Sequence, residues 1–224
     1  MGFYSGMVIE CVNPDKFYPW PSAQDLDCAE LVARHTALTS LQLQKLGYSS
    51  RVLSRMVKRG VLRRYKVVTP EGSLPSIFSP GQTAQVIARL PSPRFPHMET
   101  LRHLLMVNQI MVSILSQTEA YVDVNIRRPV QIITVNNPMA IFVAKDMFYP
   151  KLPLRYDLSQ AIVILPNPDW ALPDLPFRYV LEEEIKHDSF NIQYYCRDRK
   201  GLVPTEIVFE KHVERNKEKN VVSH

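Results

Sequence analysis

The stretch LTSLQLQKLGYSSRVLSRMVKRGVLRRYKVV, from Leu38 to Val68, constrains the fold more than any other part of the chain. Thr39 or Ser40 can cap a short helix whose Leu41, Leu43 and Leu46 face inward, and Gly47 breaks it where a positive φ is wanted. Ser49 or Ser50 can cap a second helix, Ser50 to Arg59. Within it Val52, Leu53, Met56 and Val57 form one buried face, while Arg51, Arg55, Lys58 and Arg59 lie mostly on the other. Gly60 ends that helix, and Val61 to Val68 then alternates as a strand, with Arg63, Arg64 and Lys66 among its β-branched residues. TPEGSLP turns the chain into a second short strand, Ser76 to Ser79. Upstream, Asp25 to His35 has a helical stripe of Leu26, Ala29, Leu31, Val32 and Ala33, with acids at its start, where the helix dipole favours them.

Helix, short helix, glycine turn, helix and two-stranded wing predict a winged helix-turn-helix over residues 25–90, closed by a helix from Gln82 to Leu90. Thr39, Leu43, Leu46, Gly47, Ser50, Arg55, Gly60, Leu62 and Arg64 stand where such domains of bacterial regulators and mobile-element proteins carry their typical line, which this segment resembles. Charge points the same way. The whole chain is only +5, but Leu31 to Pro70 is +9 with no acidic residue, leaving −4 for the rest. Arginines on a recognition helix can meet guanine edges or phosphates in the major groove, and wing cations can reach neighbouring phosphates. The expected contacts are Lys45, Ser49, Ser50, Arg51, Arg55, Lys58 and Arg59, with Arg63, Arg64 and Lys66 on the wing.

The first 24 residues, with three prolines and five large rings, fit an extended arm that packs on the body or on a second subunit. PSPRFP, Pro91 to Pro96, predicts a stiff linker and a domain boundary. Beyond it, His97 to Gln117 is a long helix with a broad apolar face. Short strands are expected at Tyr121–Arg127, Val130–Val135, Met139–Ala144, Leu158–Leu165 and Phe177–Ile185. PNPDWALPDLP reads as a rigid connector, Phe190–Arg199 as a short helix and Thr205–Phe209 as an edge strand. Residues 97–209 thus form a mixed α/β domain with a small sheet, 210–224 a charged tail, and the chain as a whole is α+β.

Three acids run together in YVLEEEIKHD, and strand alternation would put Glu182, Glu184 and Lys186 on one face. An aspartate and a glutamate on adjacent strands can hold Mg²⁺, with a lysine beside a scissile phosphate. This arrangement is similar to the PD-(D/E)xK nuclease core, with Asp157 as its aspartate, Glu184 and Lys186 as its E-x-K, and Glu99 as an extra acid. That resemblance implies catalysis by Asp157, Glu184 and Lys186 and a Mg²⁺ or Mn²⁺ ion on Asp157 and Glu184. The layout of winged helix, helix with His103 and Asn108, and acid-rich strand resembles the replication-relaxation proteins of plasmids and conjugative elements, whose second domain is thought to be nuclease-like and often degenerate.

Several function classes are excluded. With seven glycines, none suitably spaced, neither GxGxxG nor GxxxxGK[ST] can be written. Three scattered cysteines, Cys11, Cys28 and Cys196, suggest no disulfide framework or zinc site and fit a reducing cytoplasm. No apolar run approaches the roughly 18 residues of a membrane span, and no signal peptide is visible. The expectation is a homodimeric, sequence-specific duplex-DNA-binding protein of a bacterial mobile element, plasmid or phage, controlling replication or transcription. The alternatives are a metal-dependent endonuclease, or a partner-binding module of a transposition or phage assembly using the N-terminal arm and C-terminal tail.

Overall fold

A computed structural model of the 224-residue chain describes residues 3–12, 16–70, 72–91, 95, 97–117, 123–127, 130–134, 138–155 and 160–207. It is a mixed α+β protein built on two sheets. The first contains β1 (Val8–Cys11), β2 (Leu38–Thr39), β3 (Leu62–Thr69) and β4 (Gly72–Pro80), in the order β1-β3-β4-β2 with antiparallel neighbours. Against it lie α1 (Ala23–Arg34), α2 (Ser40–Lys45), α3 (Ser50–Lys58) and α4 (Gln82–Ile87).

The caps are the expected residue types in definite roles. Thr39 caps α2 in a reciprocal box, its Oγ1 accepting from the Gln42 N–H while Gln42 Oε1 accepts from the Thr39 N–H. Ser49, not Ser50, caps α3. Leu53 and Met56 of α3 join Cys28, Val32, Leu38, Leu43, Leu62 and Phe78 in the core of this unit. Gly60 is required on two counts. Its φ is +65°, and a Cβ there would lie 1.9 Å from the Lys16 carbonyl oxygen of the passing N-terminal segment. Gly60→Ala should therefore cost about 2 kcal/mol of stability, read by denaturant unfolding, as the 16–22 segment is displaced.

The N-terminal arm packs on its own chain. β1 pairs with the outer edge of the β3–β4 hairpin, in register Val8↔Val68 and Glu10↔Lys66, and Tyr4 donates a 2.9 Å hydrogen bond to the Pro75 carbonyl. β3 alternates regularly, with Arg64, Lys66 and Val68 exposed, and the register shift between Tyr65 and Val67 takes up one extra residue on β4.

The second sheet is larger than its scattered short runs suggested. It contains β5 (Asp123–Arg127), β6 (Val130–Thr134), β7 (Pro138–Val143), β8 (Ala161–Leu165), β9 (Phe177–Leu181), β10 (Tyr194–Arg197) and β11 (Leu202–Thr205), in the order β11-β10-β9-β8-β7-β6-β5. β7, β8 and β9 are parallel, and the flanking pairs are antiparallel. The short α6 (Lys151–Arg155) precedes β8, and the proline-rich connector before β9 begins with a 3₁₀ turn at Pro168–Trp170.

In the first unit β4 begins at Gly72, ahead of the expected Ser76, and α4 ends at Ile87, short of Leu90; three elements of the second unit also differ from the sequence reading. Phe190–Arg199 is not a helix; its second half is β10, where Tyr194 is buried and Tyr195 pairs with Tyr179. The strand expected over Phe177–Ile185 ends at Leu181, and Glu182–Glu184 form a 3₁₀ turn. The terminal edge strand is Leu202–Thr205; residues 208–224, with the tail, lie outside the described residues.

The long helix α5 (Met98–Leu115) joins the two units instead of merely following a linker. Its buried residues share one core with Ile141, Ile162, Ile164 and Val180 of the large sheet, with Val67 and Ile77 of the small one and with Phe3 and Tyr4 of the N-terminal arm. Buried amides add directional ties. Gln42 Nε2 donates to the Leu105 carbonyl and to Gln109 Oε1, and Gln109 Nε2 donates to the carbonyls of Lys186 and Ser189. Asn108 Nδ2 donates to the Ala37 carbonyl at 2.8 Å, while its Oδ1 accepts from Gln131 of β6. Asn108, of the His103/Asn108 spacing, is thus a structural tie between the sheets. Each such buried bond contributes about 1 kcal/mol, and deleting one partner costs more because the other is left dry.

His35 sits at this junction, 1% exposed, with Nδ1 buried and unpartnered among the described residues. Burial lowers its pKa to about 4, so it is held neutral. The unfolded imidazole titrates near 6.5, so the unfolded state takes up the proton first as pH falls and stability is lost between about pH 6.5 and 4. The expected loss is about 2 kcal/mol by pH 5 relative to pH 7.5. Denaturant titrations at the two pH values should register it, and His35→Leu should remove most of the difference.

Candidate nucleic-acid interface

α3 is amphipathic, with Leu53 and Met56 turned into the core and Arg51, Ser54 and Lys58 exposed. Of the four cations on α3 and its C-cap Arg59, two are committed internally. Asp25, fully buried near the start of α1, accepts from Arg55 at 2.8 Å and from Arg59 at 3.5 Å. Burial pushes the Asp25 carboxyl up, but the hydrogen bonds from Arg55 and Ser22 and the charge of Arg55 outweigh it and hold the pKa below the ordinary value. Arg59 also lies 4.8 Å over the Tyr18 ring. Arg55 and Arg59 therefore fasten α3 to α1 and to the arm. Arg51 and Lys58 make no ion pair with any described residue.

The other expected contacts sort in the same way. The Ser49 side chain accepts from the Val52 N–H as the α3 cap, while Ser50 is exposed. Lys45, at the end of α2, is exposed and lies 5.9 Å from the Phe190 ring. Arg64 and Lys66 are exposed on the face of β3 that carries Leu62 and turns toward α3, and Arg63 lies on the other. β1 places Glu10 directly across from Lys66. The segment without acids in sequence is thus not without acids in space, since Asp25 underlies α3 and Glu10 flanks the hairpin.

Sequence reasoning missed the cleft between α3 and the hairpin. It is a cavity of about 290 Å³ whose lining includes Gln44, Ser50, Ser54, Lys58, Arg64 and Ser76. The signal was present as the i, i+4, i+8 stripe Ser50, Ser54, Lys58 on the exposed side of α3. The partner strand β4 could not be placed against that stripe from sequence.

The residues of the nuclease resemblance do not form a described site. Asp157 lies outside the described residues. Glu184 and Lys186 follow the end of β9 in a turn, so strand alternation does not set their directions. Glu184 accepts a 2.7 Å hydrogen bond from the Tyr195 hydroxyl, which pushes that phenol up to about 12. Lys186 is exposed and contributes its carbonyl to Gln109. Glu99 bonds Arg102 and His103, each at 2.8 Å, and Arg102 also pairs with Glu182, so these charges are matched locally. No group of three His, Cys, Asp or Glu among the described residues could hold a metal ion. No described helix is long and apolar enough to cross a membrane.

No family model matches this chain, and neither a curated protein nor a solved structure is detectably similar to it.

Proposed function

We propose that this chain is a winged helix-turn-helix protein that binds duplex DNA, with α3 in the major groove and the β3–β4 hairpin as the wing. The observation that carries the reading is the exposure of Arg51 and Lys58 on α3, of Lys45 at the end of α2 and of Arg64 and Lys66 on the hairpin, with Lys58 and Arg64 lining one cleft. The buried Asp25 that offsets two further arginines supports it, because that acid holds the helix without presenting a negative charge to a phosphate. In this reading Arg51 meets base edges, and Lys58, Lys45, Arg64 and Lys66 grip phosphates. Control of replication or transcription in a bacterial mobile element, plasmid or phage is the role that suits such a binder. A homodimer on paired half-sites must be built without the apolar face of α5, which is consumed inside the chain.

Fluorescence anisotropy with mixed-sequence duplex DNA across a salt series tests the reading. Affinity should fall steeply with salt, with a logarithmic slope of about −3 to −5 for four to five phosphate contacts. A salt-independent signal, or no binding near 50 mM salt, would refute it.

A further inference from the structure

The cleft between α3 and the hairpin has a chemistry of its own. Lys58 approaches from the helix and Arg64 from β3, and no carboxylate is among the described residues that line it. Hydroxyls enter from both walls, Ser50 and Ser54 on α3 and Ser76 on β4, over a floor that includes Leu53 and Phe78. At about 290 Å³ the space lies just below the range in which pockets enclose drug-sized ligands, about 300–1,000 Å³, so its occupant is small. A flat nucleobase would want aromatic walls to stack on, and the one ring here, Phe78, is almost wholly buried in the floor.

Resting on the duplex-DNA reading above, we infer that this cleft seats one sugar-phosphate unit of a DNA strand. The phosphate lies between Lys58 and Arg64 and accepts from the serine hydroxyls, while the deoxyribose covers the apolar floor. Two oppositely placed cations with neutral donors suit a singly charged phosphodiester, and the floor suits the apolar face of a furanose. The strand is then clamped between helix and hairpin instead of lying across exposed cations. Docking register is set by this grip, and Arg51, one helical turn before the cleft's middle, is directed to the bases alongside.

Ser54 permits a test that fills the cleft without removing charge, because it is exposed in mid-helix and leucine is a good helix former there. Ser54→Leu should bind duplex DNA about tenfold more weakly than wild type, while Ser54→Ala, which empties the position, should stay within about threefold, both with unchanged melting temperature. The dinucleotide TpT alone, one phosphodiester between two sugars, should shift the amide resonances of Ser50, Ser54 and Ser76 in the wild type and not in Ser54→Leu. If the wild type binds duplex DNA and Ser54→Leu binds it equally well, the cleft proposal falls and the DNA reading stands. Equal losses in Ser54→Leu and Ser54→Ala would also overturn it, by reducing the site to a single hydroxyl contact. If the wild type binds no duplex DNA, both readings fall together.

Discussion

The double variant Arg51→Gln/Lys58→Gln is expected to bind duplex DNA about fifty-fold more weakly than the wild type at about 0.1 M salt. Each exposed cation-phosphate or cation-base contact is worth about 1 to 1.5 kcal/mol, and two give roughly 2.4 kcal/mol. The salt slope should shrink by about 1.8 if both side chains neutralise phosphates, and by about 0.9 if Arg51 reads a base. These two are the α3 cations with no acidic partner among the described residues, so their removal should leave the melting temperature nearly unchanged. Anisotropy titrations at three salt concentrations, paired with thermal melts, separate the two effects. Full affinity in the double variant would move the DNA-binding surface away from α3.

Arg55→Ala should behave in the opposite sense, losing about 3 kcal/mol of stability while the folded fraction keeps its DNA affinity to within about threefold. Its guanidinium is the near partner of a carboxylate that is wholly buried, and its removal leaves Asp25 only the longer 3.5 Å contact from Arg59 and the Ser22 interactions. Breaking a buried pair from the cation's side strands a dry negative charge, typically at 3–5 kcal/mol; the remaining partners place this case at the lower end. The pH dependence follows. In the wild type the Asp25 pKa is depressed, so its contribution is present above the unfolded value of 3.8 and is lost as pH falls through the folded pKa. Without Arg55, burial is opposed only by Ser22 and the more distant Arg59, so the variant's carboxyl takes up a proton at higher pH than the wild type's. The stability gap between wild type and variant should be widest near neutrality and narrow below about pH 4. Urea unfolding at pH 7 and pH 3.5 measures it, and a gap that is constant across that range would mean Asp25 is not the residue stranded.

Much of the first hundred residues was legible because its signals are local. Caps, glycine stops and apolar periodicity in Leu38–Val68 arise from interactions between residues three or four apart, and the observed α2, α3 and β3 follow them closely. The second half was less legible where period and propensity conflicted. Phe190–Arg199 has enough polar spacing to read as a helix, but Tyr194–Arg197 gain a partner strand on either side, and tertiary pairing overrides local preference. Likewise, the acids after Leu181 continued an alternating pattern on paper, yet the chain turns once strand pairing ends.

What the sequence by itself determined is the alternation of elements and the concentration of positive charge between Leu31 and Pro70, both set by near neighbours along the chain. Only the tertiary structure decided which of those charges face outward. Asp25 precedes Arg55 by 30 residues, Glu10 lies far from Lys66 in sequence, and Ser76 is on a different strand from Arg64, yet packing puts each beside its neighbour. Coulomb attraction and desolvation depend on distance in space and on burial, and neither is a property of sequence separation. A row of nine cations therefore becomes a smaller exposed set, with two arginines turned inward to hold the helix that carries part of it.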